Sequence, residues 1–172
     1  MKTLTFADLY LDQLKDSYNS ERQILKALPK MVKAATSPEL KKALTNHIEE
    51  TKEQVERLDR IFTQLEKSPG RKICEATVGL IKEGAEMIES TEPGDVRDAG
   101  LICAAQKVEH YEIACYGCLR TYAALLGRAS DIKLLDKTLQ EEKNADENLT
   151  KIAVNTVNSD ALEVDSTELH HA

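Results

Sequence analysis

Between residues 101 and 126 the chain repeats an apolar residue at alternating steps of four and three, with one exception. Leu101, Ala105, Val108, Cys115, Leu119, Tyr122 and Leu126 keep the rhythm, and the position it assigns between Val108 and Cys115 is Glu112. That period is one face of a helix packed against other helices. A carboxylate in such a row loses its hydration, which costs on the order of several kcal/mol unless something pairs with it. The seam therefore dictates a helical bundle that contains a partner for Glu112.

Three further stretches repeat the pattern. Thr5 is placed to cap a first helix running to about Thr36, with the row Leu11, Leu14, Tyr18, Glu21, Leu25, Leu28, Val32 and Ala35. Pro29 lies inside it and predicts a kink or a restart. Ser37 and Pro38 open a second helix to about Lys67, with Glu39 at the positive end of its dipole. Its inward row is Leu40, Ala43, His47, Glu50, Gln54, Leu58, Ile61 and Leu65, three polar positions between two stretches of ordinary core. After Gly127, Ser130 is placed to cap a last helix whose row holds Leu135, Leu139, Glu142, Asp146, Leu149, Ala153 and Thr156.

The acids share one depth. Glu21 lies about 16 residues before the turn near Ser37, and the mirror point beyond that turn falls beside Glu50 and Gln54. Glu112 lies about 16 residues before the turn near residues 128–129, and its mirror point, about residue 145, falls between Glu142 and Asp146. In antiparallel helices these groups face one another at one level. The spacings repeat as well: Glu21 to Glu50 is 29 residues and Glu112 to Glu142 is 30. In this weak repeat Glu21 corresponds to Glu112, Glu50 to Glu142 and Gln54 to Asp146.

Residues 67–94 form a crossover too long for a tight turn. The helical pattern from Ile73 to Ser90 inside it spans roughly 27 Å at 1.5 Å per residue, about a bundle length. It returns the chain along the outside, so the two hairpins are related by an approximate two-fold axis. Glu21, Glu50, Glu112, Glu142 and Asp146 then converge, with Glu109 one turn from Glu112 as an alternative or bridging group. So many carboxylates in a dry core cannot all stay ionised, and two divalent cations would neutralise most of their charge. The competing reading is a hydrated polar layer that fixes helix register.

The fold class is thus all-α: a four-helix bundle of two antiparallel hairpins with an added helix in the crossover, one domain over residues 1–157, and a short acidic tail over 158–172. Composition agrees, with 41% hydrophobic residues but only 7 Gly and 4 Pro in 172. A formal net charge of -7, no basic tract and no Trp argue against nucleic acid or an anionic membrane as partner. The acidic amino terminus lacks a signal-peptide core and no run reaches membrane-span length, so the expected location is cytoplasmic with four reduced cysteines.

A carboxylate on each helix of a crossover bundle resembles the ferritin-like superfamily. More specifically, LYLDQLKDSYNSERQILKALPKM, HIEETKEQVERLDRIF and AAQKVEHYEIACYGCL resemble the YciE/YciF family of ferritin-like bacterial stress proteins, and the similarity covers residues 4–157. The resemblance implies a homodimer, an association with stress and a metal site. The superfamily motif has Glu-x-x-His on the second and fourth helices, whereas here Glu53 follows Glu50 by three and Ala145 follows Glu142 by three. Gln54 and Asp146 take the inward positions instead, and His47, one turn before Glu50, is either a ligand or a hydrogen-bond partner of one. Such an oxygen-rich shell suits two hard divalent ions, iron or manganese first and magnesium or calcium after them. The functional expectation is a dimetal protein acting on peroxide, oxygen or ferrous iron; its alternative is a non-catalytic dimer whose acidic layer is structural.

Other candidates read as structure. His110 falls beside the seam, at a surface or interface. Tyr18 and Tyr116 lie one turn from the acids, where core tyrosines with satisfied hydroxyls are expected. Cys115 and Cys118 have redox-motif spacing but sit mid-helix, without the helix N-terminus that lowers a thiol pKa.

Overall fold

The computed structural model describes residues 5–168. These hold six α-helices and, among the described residues, no strand. Helix α1 is Phe6–Ala34 and α2 is Pro38–Gln64; α3, Glu75–Ser90, is the crossover; α4 is Asp95–Leu125 and α5 is Ala129–Ile152. A π-helical turn, Ala153–Val157, leads into α6, Asn158–Glu168. The α1–α2 and α4–α5 hairpins pack as two antiparallel pairs, α3 lies against α1 and α4, and α6 lies against α4. This is the all-helical bundle the seams require.

The helix ends follow local chemistry. Thr5 and Asp8 form a reciprocal capping box, Thr5 Oγ1 accepting from Asp8 N at 3.1 Å and the Asp8 carboxylate accepting from Thr5 N at 3.0 Å. Ser37 Oγ accepts from Leu40 N at 3.3 Å. Helix α1 continues through Pro29 with no restart. Gly127 terminates the second hairpin's turn at φ 69°, a left-handed position that glycine occupies without penalty. Ser130 is not the cap of α5. Arg128 holds that position without a side-chain capping bond, while Ser130 Oγ donates to Gln64 Oε1 at 2.9 Å and ties the start of α5 to the end of α2.

Two buried carboxylates brace the turns. Asp98 on α4 accepts from Thr36 N at 2.8 Å and from Ser37 N at 2.5 Å, satisfying donors at the α1–α2 turn. Asp131 on α5 accepts from Tyr10 Oη at 2.9 Å and also pairs with Arg128. The segment expected as an acidic tail after Val157 is instead helical to Glu168, entered through the π-turn. Its last four residues, 169–172, lie outside the described residues.

The apolar core is divided. One cluster, with Ile24, Leu28, Leu40, Leu44, Leu101, Ile102 and Leu149, fills the end near the α1–α2 turn. The other, with Tyr10, Leu14, Leu58, Ile61, Phe62, Leu119 and Leu135, fills the opposite end. Between them lies a layer of buried acids.

Candidate metal centre

The acid layer is built from four helices, and each contributes by its register. Helix α1 gives Glu21, fully buried between Leu14 and Ile24 in the same row. Helix α2 gives His47 and Gln54, α4 gives Glu109 and Glu112, and α5 gives Glu142; all are buried. Glu109 and Glu112 are three apart, so both face inward on one helix that α1, α3, α5 and α6 contact. The true inward row of α4 runs Leu101, Ala105, Glu109, Glu112, Tyr116, Leu119, Ala123.

One ligand-capable atom from each of His47, Glu109, Glu112 and Glu142 lies within 4.8 Å of all the others. His47 Nε2 stands 3.4 Å from Glu109 Oε1 and 3.8 Å from Glu142 Oε2, and its Nδ1 is 3.5 Å from Glu50 Oε2. Glu21 adjoins the group: Tyr116 donates a hydrogen bond to its Oε1, and its carboxyl interacts with that of Glu112.

Protonation states register the crowding. Burial raises Glu112 and Glu142 well above the usual carboxyl range, and their acidic neighbours raise them further. Burial also raises Glu109, partly offset by His47. Glu21 is pushed up to about 7 by burial, with the Tyr116 hydrogen bond and His47 pulling the other way. For His47, burial opposes the charged imidazolium, but Glu109, Glu50 and Glu21 outweigh it and raise the pKa to about 9.

Hydrogen bonding shows what these residues lack. The buried side-chain atoms without a hydrogen-bond partner among the described residues are Glu21 Oε2, both His47 nitrogens, Gln54 Oε1, Glu109 Oε2, and both oxygens of Glu112 and of Glu142. Buried polar atoms are nearly always paired, so their concentration on one layer sets it apart from the rest of the core. The donors, carboxylate oxygen and one imidazole, suit a divalent cation. Arg57, a buried cation outside the inward row expected for α2, does not supply the charge. It is held by Glu141 at 2.8 Å and Glu53 at 2.9 Å.

Not every expected ligand enters the cluster. The Glu50 side chain is 45% exposed at its rim, because α2 is turned so that Thr51 faces inward in its place. Asp146 is also peripheral, accepting from Gln106 Nε2 at 3.0 Å and lying 3.3 Å from the exposed His110. Gln54 is fully buried but donates to Glu141 Oε2 at 3.2 Å, away from the acids. Glu141 escaped the sequence reading because it lies one residue outside the apolar row of α5.

Two cavities reach the layer. One, about 220 Å³, opens between α2 and α5 past Asn46, Glu50, Asn144 and Asn148. The other, about 250 Å³, is apolar and runs beneath α3. Both end on His47 and Glu109.

Residues 5–162 match the family described as Domain of unknown function (DUF892). The chain belongs to that family. Protein YciF of Escherichia coli (strain K12) is 47% identical over 165 residues, spanning 94% of this chain and 98% of its own length. The crystal structure of the E. coli stress protein YciF matches with a TM-score of 0.87 at 46% identity, covering 91% of this chain and 99% of that one. YcfI of Rhodopseudomonas palustris matches with a TM-score of 0.84 at 45% identity, covering 87% and 95%. The family that the sequence motifs resemble is thus the family the chain belongs to.

Proposed function

We propose that this chain is a stress-associated, cytoplasmic homodimer whose bundle core binds two divalent cations, iron or manganese, and acts on peroxide, oxygen or ferrous iron. The observation that carries this reading is the set of orphaned donor atoms on Glu21, His47, Glu109, Glu112 and Glu142. The four carboxylates carry four negative charges when ionised, which two divalent ions balance. His47, Glu109, Glu112 and Glu142 would hold one ion, and Glu21, beside Glu112, extends the site toward a second. Glu50 and Asp146, at the rim, are placed to guide ions inward rather than to hold them in the core.

The chain's own residues define how such a site loads. The cation-free layer keeps His47 protonated and its carboxyls largely neutral, so loading expels protons and strengthens as pH rises. Tyr116 fixes one Glu21 oxygen by donating to it and leaves the other free. The apolar clusters on either side lower the local dielectric at the two ends of the layer, which strengthens charge interactions within it. Bound iron or manganese would supply the redox capacity that no side chain in the layer has.

Metal analysis of protein purified without chelator, followed by reconstitution with ferrous or manganous ion, tests the reading. About two ions per chain and turnover of peroxide or ferrous iron are expected. Reconstituted protein with no bound metal would sink it. A second reading has its own support: Glu21 with Glu112, and Glu109 with Glu142, are placed to share protons as neutral acid pairs. That is a structural layer in a non-catalytic protein, and it predicts unchanged stability whether or not metal is added.

A further inference from the structure

The cavity beneath α3 has no role in holding an ion. It lies between α1, α3 and α4, has a volume of about 250 Å³, and apolar side chains make up nearly all of its wall. Small residues create the space: Ala27 on α1, Gly84 and Ala85 on α3, and Ala104 and Ala105 on α4. Protein interiors are close-packed, so an unfilled apolar volume of this size is a stability penalty that larger residues at these positions would remove. Its inner end is the opposite of its wall, formed by the buried polar atoms of His47 and Glu109.

The outer end is charged. Lys26 and Lys30, one turn apart on α1, line the mouth, are exposed, and form no ion pair among the described residues. On the facing helix Glu83 pairs with Lys107 and Glu86 with Lys82, and neither Glu75 nor Glu89 lines the cavity. In a chain of net charge -7 this is a local positive rim around an apolar shaft. The polar cavity between α2 and α5 offers water and ions their own approach to the same layer, so the apolar one is not needed for them.

We propose that the cavity beneath α3 binds an amphipathic anion, a short apolar chain whose carboxylate or phosphate headgroup sits at Lys26 and Lys30 and whose far end reaches His47 and Glu109. Taking a methylene as about the volume of a water molecule, ~30 Å³, the shaft takes roughly eight carbons, so a ten-carbon acid fills it with its headgroup end at the mouth. The inference rests on the proposed metal centre for what happens to the chain end, and it names the substrate class that the centre would meet. Binding itself depends only on the cavity and its rim.

Decanoate is the probe, titrated calorimetrically into the full chain, with decanol as the neutral control and metal content determined separately on the same preparation. Saturable binding of one decanoate per chain at micromolar concentration, with a negative heat-capacity change, is expected. Ala104→Leu, which occupies the shaft, should weaken decanoate by at least about tenfold. Lys26→Glu with Lys30→Glu changes only exposed positions and should weaken decanoate by about tenfold while leaving decanol within about threefold. Absence of saturable decanoate binding below about 1 mM overturns the proposal, as does binding insensitive to both variants. Equal affinity for decanol and decanoate overturns the anionic headgroup. A chain that takes up no metal yet binds decanoate refutes the proposed metal centre and leaves this cavity standing; the reverse result refutes the cavity alone.

Discussion

The two hairpins answer the same problem unequally. The second one, α4–α5, places three buried carboxylates in the acid layer, Glu109, Glu112 and Glu142, and supplies no cation to it. The first, α1–α2, buries one carboxylate and one histidine, Glu21 and His47, and turns its second expected acid, Glu50, toward solvent. The weak repeat in sequence is therefore not a repeat of roles. Burial and neighbouring acids push Glu112 and Glu142 far from ionisation, while the first hairpin carries the two groups raised to about 7 and about 9. One hairpin provides negative charge in excess; the other provides the groups that adjust to it.

Glu142→Ala breaks the contrast hardest. It should lower metal affinity at least about 100-fold, read as metal content after dialysis, and raise the melting temperature of metal-free protein by removing an uncompensated buried acid. The pH response comes next, and it belongs to the first hairpin. The folded pKa of Glu21 lies above its ordinary value of 4.5, so metal-free protein loses about 3 kcal/mol of stability as pH rises from 4.5 to about 7. His47 is also raised, from 6.5 to about 9; its stabilisation is complete below pH 6.5 and disappears as pH climbs through 9. Urea unfolding at pH 5, 7 and 9 should thus show a continuous decline, and bound metal should flatten it.

Smaller effects sharpen the picture away from the acids. Asp98→Ala strips the carboxylate from the α1–α2 turn and should cost about 2 kcal/mol by urea unfolding, with metal content unchanged. Tyr116→Phe leaves Glu21 without its donor; a loss of about 1 kcal/mol is expected, together with a further rise of the Glu21 pKa. Glu50→Gln should be the mildest, changing affinity less than about threefold while slowing metal uptake in stopped-flow. If Glu50→Gln strips metal as completely as Glu142→Ala, the hairpins are equivalent and the contrast fails.

The sequence carried the bundle, the crossover and the depth of the acid layer, because each rests on a period or a length. It carried less of the facing. The α4 row chosen for its apolar residues ran through Val108, Cys115 and Tyr122, whereas Glu109, Tyr116 and Ala123 are the buried ones. A helix contacted on several sides shows too broad an apolar face for one row to stand out, so Glu109 ranked behind Glu112 although both are inward. On α2 the same one-residue ambiguity exchanged Glu50 for Thr51. Arg57 was invisible for a different reason: a buried arginine is legible only with its partner, and Glu141 comes from a helix 84 residues away.

The division of the apolar core bears on how the molecule opens. Each cluster is closed off from the other by groups that contribute little cohesion without a cation, so amide exchange in metal-free protein is expected to report two units of differing protection. An ion held by α1, α2, α4 and α5 would bridge that boundary and make the ends open together. Metal would then act as the fastener of a molecule otherwise assembled from two weakly coupled halves.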